Sequence, residues 1–430
     1  MNYQETIDFL YSRLPVFHRI GKAAYKSDLS NSLALDKYFG SPHRRFRSVH
    51  VAGTNGKGSV SHILASSFQE AGYKTALYTS PHLVDYRERI RINGKMIPEE
   101  MVVSFVEKNW KVIESVGPSF FEMSVAMAFD YFSREKVDIA IIETGLGGRL
   151  DSTNIISPVL SVITNIGYDH MDLLGDTLEK IAVEKAGIIK GGIPVIIGRN
   201  QDETRSVFIS RGASLSSPVV FADEDYLCIA GKYDPETGFR SYRLRDLRTG
   251  TETNLLSSLG GDYQVANIQT AAKIFEMLSG RYELDFGHFR DGLREVVQNT
   301  GLTGRWQVMD KDPLVICDTG HNKDGLEYVA DQLKTCKANN LHMVVGFVND
   351  KDLTSILPLL PADAFYYFTR SSVPRALDPV LLKQQAIPYG LKGAVFENVT
   401  SAVMAARKNA SRDDLIFIGG STFVVADALR

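Results

Sequence analysis

His50-Val51-Ala52-Gly53-Thr54-Asn55-Gly56-Lys57-Gly58-Ser59 joins an apolar run to an amphipathic stretch. Ser48–Ala52 reads as a buried strand. Beyond the glycines, Val60, Ile63, Leu64, Ser67, Phe68 and Ala71 fall at helical spacing on one face. Strand, glycine loop and helix together form the context of a phosphate-holding loop. The glycines let the chain turn tightly and aim backbone N–H groups at an anion. In that reading Gly53, Thr54, Asn55, Gly56, Lys57, Gly58 and Ser59 cradle a nucleotide's phosphates. Lys57 reaches the outer phosphates, and the Ser59 hydroxyl faces Mg²⁺. The match to the common GxxxxGK[ST] pattern is imperfect: Val51 replaces its first glycine, and Gly58 separates Lys57 from Ser59. The bland alternative is a glycine turn before a helix.

Working outward, short β-rich runs alternate with helical patterns. Thr75–Thr79, Val137–Glu143, Val159–Asn165 and Pro194–Gly198 are candidate strands of the first half. Leu314–Asp318, Met343–Phe347, Ala364–Thr369 and Leu415–Gly419 follow in the second. Several are almost continuously apolar, as strands covered on both faces are, so the expected class is α/β with mainly parallel sheets. Val297–Gly304 is polar, carries two glycines and lacks apolar periodicity. It is expected to divide an ATP-binding phosphate-loop domain, residues 1–298, from a smaller Rossmann-like α/β domain, residues 305–430, with 299–304 as hinge. Residues 223–260 alternate charge with Tyr and Leu and read as antiparallel hairpins within the first domain.

The 430 residues are 44% apolar and 23% charged, the balance of a globular protein rather than a disordered, collagenous or coiled-coil chain. No run approaches the roughly 20 apolar residues of a membrane-spanning helix. The opening MNYQETIDFLYSRL lacks a secretory h-region, so a cytoplasmic protein is expected. The net charge of −3 and the absence of an extended basic run argue against nucleic acid. The three cysteines are widely separated and form neither a disulfide framework nor a metal motif.

Val137–Glu143 ends in a carboxylate and runs on through Thr144-Gly145-Leu146-Gly147-Gly148-Arg149-Leu150-Asp151. An acidic side chain at the carboxyl end of a buried strand is a candidate Mg²⁺ ligand; an ordinary strand-end charge is the alternative. His170 follows the next strand in the same position, and metal or phosphate chemistry competes there with a structural role. Lys185 is the least expected residue. It falls on the apolar stripe of Leu178, Ile181, Ala182 and Ile189 within the helix expected over Thr177–Ile189. It either extends its charge to solvent along the stripe or has a depressed pKa and unusual chemistry.

At this point the sequence resembles the folylpolyglutamate synthase/dihydrofolate synthase family, a branch of the Mur-ligase superfamily. HVAGTNGKGS (50–59) is similar to its phosphate loop, and IIETGLGGRLDSTNII (141–156) to its second signature. TSPHL (79–83), RERIRING (87–94), FFEMSVAMAF (120–129), NIGYDHMDLLG (165–175) and EKAGIIK (184–190) also match. So do LPVFHRIGKAAYKSDLSN (14–31), GRWQ (304–307), DTGHNKDG (318–325), NDKD (349–352) and GGSTFVVADAL (419–429). The likeness covers nearly the whole chain in ordered blocks.

The resemblance implies a Mur-ligase-like fold and an ATP-dependent amide ligase. ATP converts a carboxylate to an acyl phosphate, which the amine of L-glutamate attacks. The acceptor would be 7,8-dihydropteroate, the γ-carboxylate of a folate, or both. Ser59 and Glu143 would hold one Mg²⁺. Glu143, His170 and Lys185 would hold a second, Lys185 as a carbamate, which accounts for an amine on an apolar stripe. Asn267 would contact adenine. Arg305 would reach the phosphates, Asp318 and His321 would hold the nucleotide, and Lys351 would approach the transferred phosphate. Asp151 matches the pterin-bonding position, and Phe121 would wall that pocket. Closure about residue 300 would exclude water from the acyl phosphate. A monomer binding only small molecules is expected.

Some positions depart from the family pattern. Thr303 stands where Pro often precedes Gly-Arg, Gly320-His321-Asn322-Lys323 where Ala-His-Asn-Pro is common, and Ser152 where Ala is common. None removes a reacting group. Two rivals share parts of the pattern. A UDP-sugar Mur ligase usually carries a separate N-terminal domain, which the 52 residues before Gly53 are too few to form. A phosphate-loop ATPase without ligase activity would not need Lys57, Glu143, His170 and Lys185 together.

Overall fold

The computed structural model describes residues 1–16, 28–234 and 236–430. Most of the block matched at 14–31 lies outside the described residues. The chain folds as two compact units. Met1–Ile229, Tyr242–Leu256 and Val265–Gly301 form the first, and Ala230–Ser241, Ser257–Gln264 and Leu302–Arg430 the second.

The first unit is built on eight strands: β1 Arg47–Ala52, β2 Thr75–Tyr78, β3 Ile90–Ile92, β4 Lys95–Met96, β5 Ile139–Glu143, β6 Leu160–Ile163, β7 Val195–Ile197 and β8 Val219–Phe221. Their order across the sheet is β4-β3-β2-β5-β1-β6-β7-β8. β3 and β4 pair antiparallel, and the pairs from β2 to β8 are parallel. The apolar runs become central strands because helices cover both faces. Ile139 and Ile141 of β5 pack with Val60, Leu64 and Phe68 of the helix Lys57–Glu70. Ala140 and Ile142 point the other way, toward Met123, Met127 and Phe129 of the helix Phe120–Arg134. Full burial of each large apolar side chain contributes about 1.5–3 kcal/mol.

Registration puts the functional loops side by side. Val51 of β1 lies opposite Glu143 of β5, and Ala52 lies opposite Ile163 of β6. Residues 53–56, 144–151 and 164–170 therefore leave one carboxyl edge next to each other, where open α/β sheets place ligands.

Residues 226–257 form the expected antiparallel ribbon: β9 Tyr226–Asp234, β10 Phe239–Asp246 and β11 Glu252–Ser257. The ribbon is divided between the two units rather than lying wholly in the first, since Ala230–Ser241 and Ser257 belong to the second. The polar segment after Val296 is also less of a linker than its composition suggests. Val296–Thr300 is a short helix capped by Gly301 at φ 65°. Thr300 is buried; its hydroxyl donates to Val296 O at 2.5 Å and contacts His62 Nδ1 at 2.7 Å.

The second unit carries β12 Gln307–Lys311, β13 Leu314–Cys317, β14 Leu341–Val345, β15 Phe365–Phe368, β16 Lys392–Val395 and β17 Leu415–Gly419. The order is β12-β13-β17-β14-β15-β16, with only β12 antiparallel to its neighbour. Its core joins Ile316, Met343, Val345, Phe368, Leu415 and Phe417 from the strands to Leu326, Val329 and Leu333 of the helix Lys323–Thr335. No helix among the described residues is long and apolar enough to cross a membrane.

Candidate active site

The phosphate loop is held in shape by the loop after β6. Thr54 N donates to Asn165 O at 3.0 Å, and Asn55 N to the Asn165 side-chain oxygen at 2.8 Å. The Thr164 hydroxyl donates to Asn55 O at 2.6 Å. Gly53 has φ +148°, and a Cβ there would lie 1.8 Å from Thr164 Oγ1. Gly56 has φ +84°, and a Cβ there would lie 2.1 Å from Asn267 Oδ1. Both positions therefore require glycine on two counts, backbone conformation and space. Thr164 and Asn165 were not singled out from the sequence. Both lie at the end of an expected strand, and Asn165 opens the matched block 165–175.

Two amines converge at the base of this loop. Lys57 Nζ donates to the carbonyls of Gly53 and Thr54 at 3.0 and 3.1 Å. Lys185 Nζ donates to the same Gly53 carbonyl at 2.8 Å. Lys185 is buried, so the alternative in which it extends to solvent is not the one realised. Burial first, and the neighbouring Lys57 charge second, push its pKa down to about 7, against the opposing pull of Asp169 and Asp151. The helix that carries Lys185 ends at that residue, as Leu178–Lys185, and continues as a tight turn over Ala186–Ile188.

Glu143 is buried at the carboxyl end of β5 and accepts from Ser80 N at 3.2 Å, which ties in the TSPHL loop. Ser59 is buried in the first turn of the helix Lys57–Glu70. His170 caps the short helix Met171–Leu174 with φ 50°, its ring partly exposed and 3.9 Å from Asp169. Among the described residues no three His, Cys, Asp or Glu side chains converge to hold a metal. One carboxylate and one hydroxyl nevertheless suit Mg²⁺, which keeps waters and substrate oxygens in its shell. Lys185 fits such an ion only as a carbamate; the neutral amine is the form that takes up CO₂, and burial favours that form.

Phe121 closes on the glycine turn: a Cβ at Gly145 would lie 2.4 Å from its ring, and Tyr78 stands 6.0 Å away across the centroids. Asp151 is buried and caps its own loop. It accepts from Leu146 N at 2.8 Å, Thr153 N at 3.0 Å and the Thr153 hydroxyl at 2.5 Å. Burial pushes its carboxyl up, and those donors pull it down.

In the second unit Asp318 follows β13 and is also buried. It accepts from Tyr263 OH at 2.6 Å, Trp306 N at 2.7 Å and Gly320 N at 2.7 Å. Burial pushes its carboxyl up; the Tyr263 hydroxyl and the Arg305 charge act against this. Arg305 Nη1 donates to Gly304 O at 3.2 Å, and His321 Nδ1 lies 3.0 Å from Thr319 O. Lys351 sits in the turn after β14, its N–H on Val348 O at 3.3 Å. Tyr263 was missed from the sequence; an aromatic hydroxyl just before the helix Gln264–Ser279 was its only signal.

The Mur ligase middle domain matches residues 51–275, and the Mur ligase glutamate ligase domain matches residues 304–422. The dihydrofolate synthase/folylpolyglutamate synthase of Bacillus subtilis is 35% identical over 391 residues, covering 87% of this chain and 86% of its own. The chain belongs to the dihydrofolate synthase/folylpolyglutamate synthase family of Mur ligases. The probable bifunctional folylpolyglutamate synthase/dihydropteroate synthase of Haloferax volcanii is 31% identical over the whole chain, which spans 50% of that relative's length. Escherichia coli FolC in complex with DHPP and ADP superposes with a TM-score of 0.85 at 28% identity, over 100% of this chain and 97% of its own. A bifunctional folylpolyglutamate synthase/dihydrofolate synthase with Mn, AMPPNP and L-glutamate bound gives 0.83 at 25% identity, over 100% and 97%. The two family matches fall on either side of Gly301, and the α/β fold expected from the sequence is the one observed.

Proposed function

We propose that this chain is an ATP-dependent ligase that joins L-glutamate to 7,8-dihydropteroate and to the γ-carboxylate of a reduced folate through an acyl phosphate. One observation carries the reading: Lys57 and Lys185 meet on the Gly53 carbonyl, inside a phosphate loop locked by Thr164 and Asn165. A switch ATPase needs the loop; a buried amine beside it with its pKa pushed down would, once carbamylated, suit a second ion, and so a ligase. The Mn, AMPPNP and L-glutamate of the bifunctional neighbour support the same chemistry.

In this reading the loop N–H groups and Lys57 hold the triphosphate, and Asn267 holds the adenine. Ser59 and Glu143 would bind one Mg²⁺, and Glu143, His170 and carbamylated Lys185 a second. When bound, the ions supply charge neutralisation for attack by a carboxylate on a phosphoryl group. Asp151 accepts from the pterin, and Phe121 walls its ring. Arg305, Asp318 and His321 would hold the nucleotide, and Lys351 would approach the transferred phosphoryl. No side chain acts as nucleophile, so the work of these residues is positioning and charge stabilisation. The same reading makes the protein a cytoplasmic monomer whose partners are its small-molecule substrates.

ADP release tests this directly. A ligase releases ADP only when acceptor and L-glutamate are both present. Release with ATP and Mg²⁺ alone, unchanged by either substrate, would leave a phosphate-loop ATPase.

A further inference from the structure

Three buried side chains link the strand that feeds the phosphate loop to the proposed pterin-bonding carboxylate. His50 on β1, Thr153 and Asp151 are all nearly inaccessible to solvent. The Thr153 hydroxyl lies 2.5 Å from Asp151 Oδ1 and 2.8 Å from His50 Nε2. A hydroxyl has one proton to give. The shorter contact, to a carboxylate that can only accept, takes that proton. His50 Nε2 must then be the protonated nitrogen and donate to Thr153 Oγ1. The rest of the ring agrees: His50 Nδ1 is buried without a hydrogen-bond partner, as suits a bare ring nitrogen better than an N–H. The opposite tautomer would claim the Thr153 proton and strip Asp151 of its shortest hydrogen bond.

We propose that His50 and Thr153 are positioning residues for the acceptor: the His50 tautomer directs the Thr153 proton to Asp151 and fixes that carboxylate for the pterin. This rests on the reading of Asp151 given above. Neither residue touches the reacting atoms. His50 stands three positions before Gly53, so one strand sets both the phosphate loop and the acceptor carboxylate.

The test is steady-state kinetics of the full-length Thr153→Val and Thr153→Ser variants, with 7,8-dihydropteroate, tetrahydrofolate and ATP each varied. A hydrogen bond to a carboxylate predicts that Thr153→Val raises KM for dihydropteroate about tenfold, with KM for ATP within about twofold of wild type. Thr153→Ser keeps the hydroxyl and should restore the wild-type KM. An equal rise for ATP and dihydropteroate, or no rise at all, overturns the proposal in favour of a purely structural loop contact. If Thr153→Val does not fold, ¹⁵N resonances of the wild-type His50 ring decide. They should report an Nε2-protonated ring that shifts on adding dihydropteroate, whereas an Nδ1-protonated or unresponsive ring overturns it. Wild-type enzyme that turns over tetrahydrofolate but not dihydropteroate overturns the reading of Asp151 and this inference with it. Normal wild-type turnover with an unsplit variant overturns the inference alone.

Discussion

At the residue scale Lys185 decides most. Its spacing on an apolar stripe was visible in the sequence, but burial and the shared Gly53 carbonyl were not, since they depend on a residue 132 positions away. Lys185→Ala is expected to lower ligation about a thousandfold while leaving the ADP dissociation constant within about threefold, measured by turnover and calorimetry. Wild-type turnover in that variant would refute the metal-ligand role. His50 makes a separate prediction about stability. Burial holds its imidazole down at about 3, well below its ordinary 6.5. Between those values the unfolded chain binds the proton and the folded one does not. Stability from this residue is therefore complete above pH 6.5 and lost as pH falls through the window. The advantage of wild type over His50→Gln should shrink by up to about 1.4 kcal/mol per pH unit below 6.5 in denaturant titrations. A difference independent of pH would contradict a neutral buried ring. Thr153, Thr164 and Tyr263 stayed illegible because a lone hydroxyl carries no pattern; only the fold shows what it meets.

At the scale of elements the apolar runs were the readable part. The nine expected strands all appear, within a few residues of their expected ends, because continuous apolar runs bury on both sheet faces. The short strands β3, β4, β8 and β16, at or next to a sheet edge, went unread, being two to four residues long and without alternation, and so did the edge strand β12. The helix Val296–Thr300 was hidden for a related reason: its stability comes from Thr300 packing near His62 rather than from composition. The glycine loop was legible as a turn, but which glycines are obligatory was not. Gly56→Ala should weaken ADP binding about tenfold or more by calorimetry, since its Cβ would press on Asn267 in a left-handed backbone. Unchanged affinity would mean the loop is more plastic than its hydrogen bonds indicate.

At the scale of the molecule the two units are interleaved in sequence. Residues 257–264 precede the Leu302–Arg430 part of the second unit by some forty positions and are fastened to it by Gln332. Its amide donates to Gly260 O at 2.9 Å and accepts from Asp262 N at 2.7 Å, in a buried setting. Gln332→Leu leaves Asp262 N unpaired and leaves Gly260 O with Arg240 Nη1 as its donor, and should destabilise the second unit by about 2 kcal/mol in thermal unfolding. No change would show that this segment is held by packing alone. Composition gave no sign of this stitching, because a segment's owner is set by what it packs against. The central claim is that a single chain accepts two different carboxylates, and mass analysis of products tests it most directly. ATP, Mg²⁺ and L-glutamate would be supplied with 7,8-dihydropteroate or with tetrahydrofolate. One added glutamate on each acceptor, with ADP released in step, is the expected result. ADP release with no glutamylated product from either acceptor would contradict the account.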